Sequence, residues 1–129
     1  GHRTTLLIGD LAFQHDISGL LAILNDQLSL NIVVVDDQGG GIFSHLPISQ
    51  STHTDLFKEF FTTPQHLPIR RITEALNIDY FEVTEATKLA ELLRNPQGLR
   101  VIRIPVDPDL DLDQHRRLTQ AVTDALSAL

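Results

Sequence analysis

The 129-residue chain contains no cysteine, no methionine and no tryptophan. Without cysteine there can be no disulfide framework, no thiolate zinc site and no cysteine nucleophile, a composition compatible with the reducing cytoplasm in which the protein is expected. Without methionine the chain is not an unprocessed translation product. Gly1-His2 is read as the scar of a cleaved tag, ahead of a single domain over residues 3–129 that is a fragment of a longer protein. Long apolar runs are lacking too: the longest, residues 32–35, falls far short of the ~18 needed for a spanning helix and suits a buried strand. Positive charge is scarce, with 10 Lys and Arg against 17 Asp and Glu, and the basic residues form no block longer than Arg70-Arg71 or Arg116-Arg117. A net charge of −7 argues against nucleic acid or an anionic membrane as partner.

What is present describes one compact core. Hydrophobic residues make up 42% and charged residues 21%, the balance of an ordinary soluble domain. The pattern alternates between strand and helix periods, which predicts an α/β fold with a mostly parallel sheet flanked by helices. Strands are expected at 4–9, 31–36, 80–83 and 99–106. Ile17, Leu20, Leu21, Leu24 and Leu28 recur at helical spacing behind Asp16 or Ser18 as a cap. Gly39-Gly40-Gly41 breaks the chain, and 42–53 reads as a long ordered loop. Short helices follow around Leu56–Phe61, stopped near Pro64, and from Ile69 to Asn77. A helix through Ala86, Leu89, Ala90 and Leu93 stops at Asn95-Pro96, and Leu118, Ala121, Val122, Ala125, Leu126 and Leu129 line a final amphipathic one.

The acidic residues fall at the strand ends. Asp10 closes the first strand, Asp36-Asp37 the second, and 27 positions from 10 to 37 accommodate a crossover helix between parallel strands. Both carboxylates then emerge at the sheet edge where open α/β folds bind ligands. Oxygen ligands from Asp10, Asp37 and a carbonyl of the glycine turn suit a hard cation such as Mg²⁺, and glycine N–H groups there could face a diphosphate. The plainer alternative makes Asp10 a helix cap and 36–40 a turn; their joint placement on one edge favours a metal and phosphate site.

These residues also carry a family resemblance. Gly9-Asp10-Leu11 followed by Asp36-Asp37-Gln38-Gly39-Gly40-Gly41 resembles the paired metal and diphosphate motif of thiamine-diphosphate enzymes. Residues 40–47, Gly-Gly-Ile-Phe-Ser-His-Leu-Pro, and 60–67, Phe-Phe-Thr-Thr-Pro-Gln-His-Leu, resemble the C-terminal cofactor-binding domain of the menaquinone-pathway 2-succinyl-5-enolpyruvyl-6-hydroxy-3-cyclohexene-1-carboxylate synthases, the MenD family. The resemblance runs from about Thr5 to the end of the chain. It implies a truncated diphosphate-binding domain of the thiamine-diphosphate fold, with Mg²⁺ or Mn²⁺ held by Asp10, Asp37 and the Gly39 carbonyl. Cofactor contacts would come from Asp10, Leu11, Asp37, Gly39, Gly40, Gly41, Ile42 and Phe43, the last two beside the thiazolium ring. The implied substrates are 2-oxoglutarate and isochorismate. The cofactor-activating glutamate would sit in a pyrimidine-binding N-terminal domain of a second subunit in a homo-oligomer, so no catalytic residue is assigned here and the fragment alone is expected to be inactive. Asp36-Asp37 stand where the family has asparagines, which adds repulsion beside Asp10 and an anionic diphosphate.

Other patterns are weaker. Asp107, Asp109, Asp111 and Asp113 alternate like a calcium loop, but Leu112 and Leu118 occupy its obligatory Gly and Glu positions, so these acids are read as the start of the last helix. His45, His53 and His66 have no helical i, i+4 pairing among them and are read as ordinary histidines. Ser44 lies outside any Gly-X-Ser-X-Gly elbow and is read as a loop hydroxyl, while Phe57, Phe60 and Phe61 are read as core or as covered by another domain. A receiver-like signalling module also gathers aspartates around Mg²⁺, but it needs a lysine at a later strand end, and Lys58 and Lys88 fall in helical segments.

Overall fold

A computed structural model describes residues 3–26, 28–51, 53–95 and 97–128. Gly1-His2, Pro96 and Leu129, read above as a tag remnant, part of a helix stop and the end of the last helix, lie outside the described residues. Four parallel strands, β1 (Arg3–Gly9), β2 (Ser29–Asp36), β3 (Asp79–Glu82) and β4 (Leu99–Pro105), form a sheet in the order β1-β2-β4-β3. Between them lie α1 (Asp10–His15), α2 (Ile17–Ile23), α3 (Ile48–Ser51), α4 (Thr54–Phe57), α5 (Ile69–Ala75), α6 (Ala86–Arg94) and a closing α7 (Pro108–Ser127). The expected α/β architecture is therefore present, and β2, buried on both faces, is apolar almost throughout.

Alternation along the strands divides the core into two layers. On one face, Ile32, Val34 and Val101 pack against Phe13 of α1, Leu20 of α2 and Ile69 of α5. On the other, Val33 and Ile102 pack with Val83 against Leu89, Leu92 and Leu93 of α6. That second face is only partly covered: in register beside Val33, Leu7 of β1 is 69% exposed.

A polar row crosses the same face. Thr5, Asn31 and Arg100 are register partners on β1, β2 and β4. The Arg100 guanidinium donates to Asn31 Oδ1 from Nε (3.0 Å) and Nη2 (2.8 Å), and from Nη2 to the Leu92 carbonyl of α6 (2.8 Å). Both side chains are buried, so these bonds are the reason a cation can sit there.

Local differences from the sequence reading have local causes. The helix expected over 17–28 is shorter, α2 stopping at Ile23, and an additional helix precedes it: the chain passes straight from Gly9 of β1 into α1, and Asp16 breaks α1 from α2. Asp16 stands at the N-cap position without a side-chain bond to the helix. The segment 42–53, expected as a long ordered loop, holds a 3₁₀ turn (Gly41–His45) and α3; Leu46, held extended ahead of Pro47, separates them, and Ser49 Oγ donates to the Leu46 carbonyl at 2.8 Å. Behind α4 a π-helical turn (Lys58–Thr62) ends at Thr63, whose φ of 37° is costly for a β-branched residue and is held by its N–H to the Lys58 carbonyl (2.8 Å) before Pro64. Among the described residues no helix is long and apolar enough to cross a membrane.

Replacing Asn31 with leucine removes the acceptor shared by two buried guanidinium nitrogens while keeping the volume. We expect Asn31→Leu to lower stability by roughly 2–4 kcal/mol in urea unfolding. Unchanged stability would show that Arg100 is satisfied without Asn31.

Candidate functional site

The parallel register brings the ends of β1 and β2 level, and Asp10 enters α1 directly from β1 while Asp36 closes β2. Asp10 is 3% exposed and Asp36 5%. The Leu11 N–H donates to Asp10 Oδ1 at 2.8 Å. Burial pushes the Asp10 carboxyl up from 3.8 to about 6, against the Leu11 bond that favours its charge; the charges of Asp37 and Asp36 and a hydrogen bond with Asp36 push it the same way. Three carboxylates thus converge on one sheet edge, as the strand ends predicted.

They are not equivalent. Asp36 Oδ2 accepts from Arg103 Nε at 2.5 Å, Asp36 Oδ1 accepts from the Gln38 N–H at 3.2 Å, and Arg103 Nη1 continues to Glu82 at 2.7 Å. Burial opposes the charge of Arg103, and its bonds to Asp36 and Glu82 more than offset that, holding the guanidinium firmly protonated. The Asp36-Asp37 repulsion expected from the sequence is therefore reduced by a cation on β4. Arg103 was missed because one charge in an apolar strand reads as a solvent-facing residue; its place beside the strand end was the available signal. Among the described residues neither Asp10 nor Asp37 has a cationic partner.

The glycine turn shapes the rest. Gln38 and Gly39 take φ of 63° and 147°, and a Cβ on Gly39 would lie 2.4 Å from the Thr62 carbonyl oxygen. A Cβ on Gly41 would lie 2.1 Å from Asp37 Oδ2, so glycine there leaves room for that carboxylate. The Gly40 N–H donates to the Thr62 carbonyl at 2.7 Å, so it is committed to the fold and not turned to a ligand. Beside this turn lies a cleft of about 320 Å³ bounded by Asp37, Gly39–Gly41, Ser44 and Lys58. Leu11 is half-buried at the start of α1; Ile42 and Phe43 are exposed on the 3₁₀ turn, with Phe43 edge-on to Phe61 at 5.9 Å. Phe57 is buried and stacks on Phe61 at 5.4 Å, whereas Phe60 is exposed.

Two carboxylates without a cationic partner among the described residues, on a crowded acidic edge with hard oxygen donors and no sulfur or imidazole among them, fit Mg²⁺ or Mn²⁺ better than a softer ion. The remaining candidates separate. Asp107 caps α7 through the N–H groups of Asp109 and Leu110, so the alternating aspartates are a helix start, as read. His53 faces Asp55 at 4.0 Å and His66 borders a different cleft, so His45, His53 and His66 do not form a cluster among the described residues.

No protein-family model matches the chain. It is similar to 2-succinyl-5-enolpyruvyl-6-hydroxy-3-cyclohexene-1-carboxylate synthases from Leuconostoc mesenteroides (36% identity over 119 residues, 92% of this chain), Lysinibacillus sphaericus (37% over 128, 98%) and Chlorobium chlorochromatii (36% over 132, 99%). In each case the match spans 22% of the relative's length.

Two substitutions test the site's electrostatics. The folded state holds the Asp10 proton up to about 6, whereas the unfolded chain releases it near 3.8. The stabilisation from the protonated form is therefore complete below about 4 and lost as pH rises through about 6. Asp10→Asn should flatten that fall, make the metal-free chain more stable at pH 7.5, and abolish any Mg²⁺-induced rise in Tm. A thermal-melt series that overlays wild type would refute this. Gly41→Ala should keep the far-UV dichroism of the fold while weakening Mg²⁺ binding at least tenfold, because the new methyl displaces Asp37.

Proposed function

Because the chain belongs to the 2-succinyl-5-enolpyruvyl-6-hydroxy-3-cyclohexene-1-carboxylate synthase family, over a segment of its members' length, we propose that this segment holds thiamine diphosphate through a divalent cation. The observation that carries the reading is the meeting of Asp10, Asp37 and the glycine turn at the ends of adjacent parallel strands. Asp10, Asp37 and the Gly39 carbonyl would ligate Mg²⁺ or Mn²⁺, whose charge relieves the carboxylate repulsion and neutralises the diphosphate. Lys58, bordering the same cleft, adds positive charge to its wall. Gly40 and Gly41 line the cleft, Leu11 would contact the cofactor from the start of α1, and the exposed Ile42 and Phe43 offer an apolar surface for the thiazolium ring. The bound cofactor supplies a nucleophilic carbon and an electron sink for decarboxylating a 2-oxo acid.

On this reading the whole protein decarboxylates 2-oxoglutarate and adds the succinyl semialdehyde unit to isochorismate in menaquinone biosynthesis. This chain's part is to bind and orient. The acid–base group that activates the cofactor belongs to an N-terminal pyrimidine-binding domain of a partner subunit, so the assembly would be a homo-oligomer. Exposed Leu7, Phe60, Leu118 and Leu126 supply apolar surface for such neighbours. A receiver-like module is disfavoured, because Lys58 stands in a π-helical turn and Lys88 in α6, neither at a strand end.

Calorimetric titration with thiamine diphosphate tests the binding claim. Heat of binding should be seen in millimolar Mg²⁺ and vanish in EDTA; metal-independent binding, or none at millimolar cofactor, would sink it. The purified chain should release no CO₂ from 2-oxoglutarate, and turnover by this segment alone would overturn the assignment of acid–base work to a partner.

A further inference from the structure

The longest helix ends up against the turn that follows the glycines. Asp107 fixes the start of α7, and from there Asp111 and His115 stand four residues apart on one side of the helix. Across from them, at the end of the Gly41–His45 turn, His45 brings Nε2 to 3.4 Å from Asp111 Oδ2, while His115 Nδ1 lies 3.5 Å from Asp111 Oδ1. The two imidazoles meet edge to face with centroids 4.7 Å apart, and the three side chains place one ligand atom each within 4.8 Å of the others.

We propose that His45, Asp111 and His115 form a Zn²⁺ site, distinct from the carboxylate edge where Mg²⁺ is expected. Tetrahedral zinc with bonds of about 2.0–2.1 Å sets its ligand atoms roughly 3.3 Å apart; each imidazole already stands that close to one oxygen of Asp111, and the three ligand atoms, within 4.8 Å of one another, need only a small side-chain rotation to converge on one ion. Two imidazoles and one carboxylate are a donor set for zinc and its neighbours, whereas Mg²⁺ prefers oxygen alone. Three protein ligands leave one position for water, and the site opens on a cleft of about 500 Å³ bordered by Ser44, Gln50 and Gln120. Ordinary exposed histidine–aspartate pairs would hold these groups only weakly. The metal has a structural task to perform. None of the described residues of α7 is buried, and the helix leans on the fold mainly through the Gly41–His45 turn. A zinc ion would staple helix to turn, and Ser44 of that turn also borders the Asp37 cleft, so the staple would set one wall of the proposed cofactor site.

Zinc competes with protons for imidazole, so the test is calorimetry with ZnCl₂ at pH 7.5 on the chain without any polyhistidine tag, together with CoCl₂ as an optical probe. One Zn²⁺ should bind per chain at micromolar concentration, Co²⁺ should give the intense visible bands of a tetrahedral site, and excess Mg²⁺ should not displace either. His45→Ala and His115→Ala should each weaken binding about tenfold or more, while His53→Ala leaves it unchanged; all three are surface substitutions whose fold is checked by circular dichroism. Binding only at millimolar zinc, or affinity unaltered by His45→Ala or by His115→Ala, would overturn the three-ligand site. Loss of thiamine diphosphate binding has no bearing on this outcome, because the zinc readout requires neither cofactor nor Mg²⁺.

Discussion

Asp36 and Arg103 face each other across β2 and β4, and the acidic sheet edge can exist because they do. Parallel strands end together, so whatever residues close them are forced into proximity regardless of charge. Here that rule collects Asp10, Asp36 and Asp37. The guanidinium takes Asp36 out of the contest and carries on to Glu82, tying three strands at their C-terminal ends. With Asp36 balanced, the uncompensated charge is concentrated on Asp10 and Asp37. The fold therefore holds a repulsion there that a divalent cation would relieve, and the upward shift of Asp10 to about 6, caused first by burial and then by those neighbouring charges, is its metal-free expression.

The glycine turn is the second half of the same arrangement. Its backbone is pressed against the carbonyls of the π-helical turn, and its missing side chains leave Asp37 room to stand beside Gly41. A turn so closely packed gives a rigid floor to the cleft, while Ile42 and Phe43 just beyond it remain exposed. The exposed apolar residues are spread over different elements: Leu7 on the sheet, Phe60 on the π-helical turn, and Leu118, Val122 and Leu126 along α7. An amphipathic pattern without a covering layer is costly in water. On the proposed function that layer is the remainder of a much longer enzyme.

The strands were legible because β-branched and apolar runs of that length have few other uses, and the crossovers because helical spacing lies between them. Asp10 and Asp37 were legible as a pair for the same reason, since strand ends in a parallel sheet share an edge. The helix α1 was not, because it follows the strand with no intervening residue and buries only Asp10 and Phe13, too little to show a period. The segment 42–53 reads from sequence as an ordered loop because its 3₁₀ turn and single-turn helix are shorter than any periodicity. The histidines were judged as a set of three neighbours in sequence, whereas His45 meets Asp111 and His115, whose own i, i+4 spacing becomes visible only once α7 is known to start at Pro108.

The sequence by itself determined the class of the fold, the edge that gathers carboxylates and the family whose motifs it carries, because strand period, crossover length and glycine spacing are local properties. Which carboxylate is neutralised, which N–H is already spent, and which histidine meets which aspartate were decided only in the tertiary structure. Those depend on distances of about 3 Å between residues far apart in the chain, such as Asp36 and Arg103 or His45 and Asp111, and no spacing rule within one segment specifies them.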